Sequence, residues 1–446
     1  MAGLYLYKKK TWSARIWRGF WGILIVLTIS QLTWPGARTV DSAEGNKKPP
    51  VVEVVEKPVD PDAGKQDLAK NDLADLIGEW SFNADGHILA VTDAQGRALF
   101  VRPTVHPALQ AQAIKWLKNS KALEAALVIV EPETGEVVTL AGYRADGEGV
   151  NSALAGSFPA ASLFKIVTAA AAVESASLSA DSALAYDGGK HTLYKNSINK
   201  EPTKGRNATT LKESFADSIN SVFGKLGAVT LGPAELGAFA GRFGFNHNID
   251  FEMPVEVSSF SVADEDDPFH LAELASGFNR NTTISPLHGA LIAAAVVSGG
   301  NLPDPAIVKQ VFDIDNHIYY EARASEKHEI INPATAAELT SLMRLAVEKG
   351  TARRTFADAA RHPVLSRLII GGKSGSINNE QGDRVDWFVA WAEPADPQEI
   401  AGKLALSAVV VHDWHARTTS QRLIRQALIA YYRDRLSPKQ ARPAAK

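Results

Sequence analysis

The chain has 446 residues, a formal net charge of −3 and no cysteine. Its length allows two or three domains, and at 45% hydrophobic residues it is too apolar for wholesale disorder. No run of Lys and Arg between the N-terminus and the C-terminal helix offers a nucleic-acid footprint, and the missing cysteine excludes disulfides, thiolate metal sites and cysteine nucleophiles. In chain order, residues 1–18 carry Lys8, Lys9, Lys10, Arg15 and Arg18 and no acidic residue. Gly19 to Trp34 then form an uncharged apolar run. It is slightly short of the roughly 17–25 residues of a spanning helix, and Trp17 and Arg18 extend it. The expectation is a transmembrane signal anchor at 19–34 with a cytoplasmic basic segment at 1–18. That puts the rest of the chain in the periplasm or extracytoplasmic space, held at the inner (cytoplasmic) membrane. A cleaved signal peptide is the alternative and exports the chain equally, but Pro35 before Ala37 is a poor cleavage context.

Residues 35–72 are rich in Pro, charge and small residues and read as an extended stalk. A short strand-rich region is expected at 73–104, from GEWSF, HILAVTD and RALFVRPTV. AALVIVE, a PETG turn and EVVTLAGY predict a hairpin over 125–142. Helices are expected at 162–175, 209–226, 233–243, 285–298 and 334–349, and strands return at 367–372, 385–393 and 403–413. An amphipathic helix, TTSQRLIRQALIAYYRDRL, follows, with a tail at 436–446. Strands at both ends with helices between them predict an α+β fold. Its antiparallel sheet is flanked by helices and carries an inserted all-α lobe.

An exported chain of this composition must work with Ser, Lys, His or carboxylates. His412 and His415 read as a solvated turn, since no third metal ligand stands near them. Ser162-Leu163-Phe164-Lys165 places a hydroxyl and an amine three apart. At the start of a helix they share one face, and the serine N–H points where an oxyanion could be stabilised. Ser197 and Lys200 repeat the spacing, but their surroundings are polar and Pro202 follows. Ser162 instead precedes the apolar run KIVTAAAAVE.

GSFPAASLFKIVTAAAAVE resembles the nucleophile motif of penicillin-binding proteins and serine β-lactamases. Ser218-Ile219-Asn220 resembles the second motif of that family. Lys373-Ser374-Gly375, directly after the strand RLIIGG, resembles the third, and the order along the chain is the same. VRPTVHPALQAQAIKWL, EPETGEVVTLAGY, TTISPLHGALIAAAVVSGG, VEKGTARR and WFVAWAEP extend the likeness over roughly residues 100–435, with a transpeptidase domain at 105–435. A phosphate-binding loop ending in GGKSG is excluded by Arg367, where a glycine would be needed, and by the turn-like SINNEQGDR after it.

The resemblance implies a monofunctional, class B-like peptidoglycan D,D-transpeptidase that binds penicillin covalently. Ser162 would be the nucleophile, Lys165 the base, and Ser218 the proton relay to the leaving amine. Asn220 would orient Lys165 and the substrate amide, Lys373 and Ser374 with Gly375 would hold the substrate carboxylate, and the N–H groups of Ser162 and Ser376 would bind the oxyanion. No cofactor or metal is implied. The implied partners are peptidoglycan stem peptides, β-lactams, the membrane and a lipid II-polymerising glycosyltransferase, with no nucleic acid. Alternatives within the resemblance are a D,D-carboxypeptidase or endopeptidase, a serine β-lactamase, and a catalytically silent β-lactam-binding protein. Ser374 stands where threonine is commoner. The stretch before residue 105 is too short for a glycosyltransferase domain or a large pedestal.

Overall fold

Five segments make the central sheet: β1 (Glu124–Val130), β2 (Val137–Arg144), β3 (Leu368–Asn378), β4 (Arg384–Pro394) and β5 (Leu404–His412). This computed structural model describes residues 68–77, 87–147, 151–198, 207–262, 267–323, 326–398, 402–413, 417–433 and 435. The basic segment, the apolar run at 19–34, the stalk up to residue 67, the expected strand at 78–82, Lys200, His415 and the tail lie outside the described residues. Among those described, no helix is long and apolar enough to cross a membrane.

The sheet order is β3-β4-β5-β1-β2, all antiparallel, so the early hairpin and the late strands meet where β5 pairs with β1. The inner strands β5 and β1 and the middle of β4 are apolar at almost every position because both faces are covered, and alternation sends successive side chains into two separate cores. On β4, Trp387, Val389 and Trp391 enter the core shared with the inserted helices. Phe388, Ala390 and Ala392 enter the core beneath helices α1 (Pro107–Asn119) and α8 (Ser420–Arg433), where Leu423, Ile424, Ala427 and Leu428 are buried.

Between β2 and β3 the chain adds α2 (Lys165–Ala176), α3 (Leu211–Ala216), α4 (Asn220–Lys225), α5 (Pro268–Ser276), α6 (Pro286–Val297) and α7 (Pro333–Glu348). α6 is apolar on every side and buried throughout, as a helix enclosed by its neighbours must be. The lobe is not all-α as the sequence pattern suggested. Short strands pair within it, Phe158–Pro159 with Thr283–Ile284 and Ala183–Ala185 with Ala208–Thr210.

Two further differences from the sequence reading concern its boundaries. Lys70–Ile77 is a helix with Leu73 and Ile77 buried, so residues 70–72 belong to the fold and not to the stalk expected from their composition. The line between 73–104 and 105–435 cuts through a four-stranded sheet. Leu89–Thr92 pairs with Ala98–Pro103, which pairs with Val308–Phe312, which pairs with Ile318–Glu321. Ala98–Pro103 and Val308–Phe312 lie about two hundred residues apart, so local pattern carries no sign of their pairing.

Candidate active site

Ser162 lies in a 3-10 turn, Ala161–Phe164, that leads into α2, and Lys165 is the first residue of that helix. The serine therefore precedes the α-helix instead of opening it. The i, i+3 spacing still brings the two side chains together, with Lys165 Nζ 2.7 Å from Ser162 Oγ. The turn is held from several sides. Trp387 Nε1 donates to the Pro159 carbonyl at 2.9 Å, and Ala160 N–H donates to Thr282 at 2.8 Å. Ala161 takes a left-handed φ of 49°, and Gly277, at φ 69°, lies beneath it. A methyl group on Gly277 would stand 1.8 Å from the Ala161 carbonyl oxygen, so only glycine fits there.

Lys165 is fully buried and has three partners, each 2.7 Å away: Ser162 Oγ, Asn220 Oδ1 and the carbonyl of Ser276 at the end of α5. Asn220 Nδ2 donates to the His191 carbonyl at 2.8 Å, which fixes the amide with its oxygen toward the lysine. Asn220 Oδ1 and Ser276 O can only accept. A neutral amine spends its two N–H bonds on them, and its lone pair then faces Ser162 Oγ. Burial, and after it the charge of Lys373, hold the Lys165 pKa well below the usual lysine value. The geometry and the pKa direction both favour an amine ready to take the serine proton.

The expected helix at 209–226 is broken at this site. α3, opened by a capping box between Thr210 and Glu213, ends before Asp217, and α4 restarts at Asn220. Ser218 between them has φ 56°, a conformation rare for a side-chain-bearing residue, and it turns the hydroxyl toward β3. Lys373 Nζ donates to Ser218 Oγ at 2.9 Å and to the Ser374 carbonyl at 2.9 Å. Lys373 is fully buried, and that burial lowers its pKa to about 7.

Along β3, an edge strand of the sheet, Gly375 passes Ser162 closely: a methyl there would be 3.3 Å from the Ser162 nitrogen. Ser374 Oγ is 2.6 Å from Thr351 Oγ1, and the exposed Ser376 hydroxyl accepts from Arg384. The structure thus brings together Ser162, Lys165, Ser218, Asn220, Lys373, Ser374, Gly375 and Ser376. Ser197 lies in a separate 3-10 turn, Lys195–Ser197. Ser276, His191, Thr351 and Arg384 were not anticipated. The first two act through backbone carbonyls, which leave no residue signature. Among the described residues, one group could hold a metal, Asp304, Glu326 and His328; it is largely exposed and shares no residue with this cleft.

A family model described as the penicillin binding protein transpeptidase domain matches residues 125–412. The chain is 24% identical over 359 residues to the peptidoglycan D,D-transpeptidase PbpA of Mycolicibacterium smegmatis, covering 70% of this chain and 67% of that protein. To stage V sporulation protein D of Bacillus subtilis it is 23% identical, over 72% of this chain and 53% of that one. The chain therefore spans between half and two thirds of the length of these relatives. The D,D-transpeptidase domain structure from Eggerthella lenta superposes with a TM-score of 0.61 at 23% identity, covering 75% of this chain and 83% of that one. Penicillin-binding protein A of Mycobacterium tuberculosis, solved as its penicillin G acyl-enzyme, superposes with a TM-score of 0.55 at 23% identity, covering 74% and 80%. With the family model covering most of the chain and all three motifs within its span, this protein belongs to the penicillin-binding protein transpeptidase family.

Proposed function

We propose that the chain is a serine-type peptidoglycan D,D-transpeptidase that penicillin acylates. The observation that carries this is the buried amine of Lys165 at 2.7 Å from Ser162 Oγ, its other two contacts fixed on obligate acceptors. Ser162 attacks the carbonyl between the two terminal D-alanines of a stem peptide, and its proton passes to Lys165. The backbone N–H groups of Ser162 and Ser376 receive the developing oxyanion. Lys373 and Ser374 hold the terminal carboxylate. The leaving D-alanine amine takes its proton through Ser218, which Lys373 contacts. An amine of a second stem peptide then attacks the acyl-enzyme and completes the cross-link. A β-lactam follows the acylation half and stays attached.

The basic residues at 1–18 and the apolar run at 19–34 support an anchor at the cytoplasmic membrane, with the catalytic residues on the outer side. There the substrate is assembled, and a lipid II-polymerising glycosyltransferase would work alongside. Carbonate extraction of membranes tests the anchor, because a spanning chain stays in the pellet. The chemistry is tested by intact mass after incubation with benzylpenicillin. The wild-type chain and Ser197→Ala gain one drug mass on the peptide bearing Ser162, and Ser162→Ala gains none. An adduct that survives in Ser162→Ala overturns the assignment.

A further inference from the structure

The VEKGTARR segment has no part in the steps above, yet its threonine reaches the cleft. After α7, Gly350 lies against the Ala216 carbonyl, and Thr351 N–H donates to that same carbonyl at 3.1 Å. The Thr351 carbonyl accepts from Gln421 Nε2 at 3.4 Å. Its backbone is thus tied to the end of α3, two residues before Ser218, and to the start of α8. The side chain is left to meet Ser374 Oγ at 2.6 Å. Two residues along β3, Ser376 Oγ accepts from the Arg384 guanidinium. Residues at i and i+2 of a strand share a face, so the two hydroxyls stand side by side.

Arginine has only donors. Its bond to Ser376 Oγ therefore leaves the serine proton to point elsewhere, out from the strand. The Thr351–Ser374 pair can run either way on its own. An anion in front of the strand selects one direction, because a carboxylate only accepts: Thr351 donates to Ser374, and Ser374 donates outward. Each bond in such a chain polarises the next. Asp386, opposite Ser376 in register, has its Oδ2 turned to Ser420, whose N and Oγ donate to it at 2.9 Å each. Arg384 also keeps its charge at every working pH, whereas buried Lys373, with a pKa of about 7, does not.

We propose that Thr351 and Arg384 are positioning residues that turn the Ser374 and Ser376 hydroxyls outward as a two-donor clamp for a single substrate carboxylate. This rests on the acylation reading above and extends it to two residues outside the three motifs.

The test uses the full-length protein and the second-order rate of acylation by benzylpenicillin and by its uncharged methyl ester. Thr351→Val and Arg384→Met should each lower the acid-to-ester rate ratio about tenfold, the usual worth of one hydrogen bond to a charged group. Thr351→Ser and Arg384→Lys, which keep the donor, should restore most of it. In a Ser374→Ala background Thr351→Val should cost nothing further, and likewise Arg384→Met in Ser376→Ala. Equal losses toward acid and ester, or losses that simply add to those of the serine variants, overturn the clamp and leave a merely structural role. A wild-type chain that benzylpenicillin does not acylate overturns the acylation reading itself, whereas acylated variants with unchanged ratios overturn only the clamp.

Discussion

Lys165 illustrates what a single residue owes to its surroundings. A lysine in water is protonated and useless as a base near neutral pH. Here burial and then the nearby Lys373 hold its pKa well below that of a free lysine, and three short contacts fix where its nitrogen points. Asn220 is the side chain that fixes this aim. Asn220→Ala leaves one amine N–H without its acceptor and frees the nitrogen to rotate, so acylation by benzylpenicillin should slow by about a hundredfold, the low end of what a positioned base contributes. Stopped-flow acylation rates check this, and a loss under threefold would remove Asn220 from the aiming role. The Ser162–Lys165 spacing was legible in the sequence, because an apolar helix must follow to bury the amine. The sequence could not carry the Ser276 and His191 carbonyls, since every residue has one. Nor could it carry Thr351 and Arg384, whose partners are set by tertiary packing.

The elements place these residues through breaks in regular structure as much as through helices and strands. The apolar period across 209–226 reads as one helix, and neither glycine nor proline marks an interruption at Ser218. The stop comes from outside the segment. Lys373 on β3 holds Ser218 Oγ, Lys190 accepts Asn220 N–H at 2.7 Å, and the turn takes φ 56° to satisfy both. A similar constraint holds the nucleophile turn against the end of α5. Gly277 there needs a left-handed φ and has no room for a methyl group beside Ala161. Gly277→Ala combines a conformational cost of ~1 kcal/mol with overpacking of ~1–3 kcal/mol. Thermal unfolding should therefore begin several degrees lower. At temperatures where the variant stays folded, penicillin labelling should still fall, because relief of the clash shifts Ala161 and Ser162. Wild-type labelling in a folded Gly277→Ala variant would show that this contact does not set the nucleophile's place.

At the scale of the whole molecule, the central sheet was legible because strands covered on both faces must be apolar, and the hairpin, β5, the middle of β4 and the first residues of β3 are. The four-stranded sheet was not, because it joins residues 98–103 to 308–312 and no local rule links them. The architecture also has a global consequence for stability. The site buries two lysines, Lys165 and Lys373, between the sheet and the inserted helices, and in the folded chain both hold their protons less tightly than a free lysine does. In the unfolded chain each returns to the ordinary value of 10.5. Between about 7, the folded value of Lys373, and 10.5, these lysines bind more protons in the unfolded chain than in the folded one, so they make stability rise with pH from about 7 to about 10. Below it Lys373 is protonated in both states and contributes no slope. The limiting slope is about 1.4 kcal/mol per pH unit for each such lysine. Above pH 10 the trend reverses, because burial raises Tyr320 to about 12 and lifts Tyr431 and Tyr432 higher still, so the folded chain then keeps protons that the unfolded one has lost. Urea unfolding at half-unit steps from pH 7 to 9.5 should show the rise, and Lys373→Met should lower its slope by one lysine's share while leaving the reversal in place. A flat wild-type profile across that range would mean that these lysines are not held neutral by the fold, and the proton transfer from Ser162 would lose its acceptor.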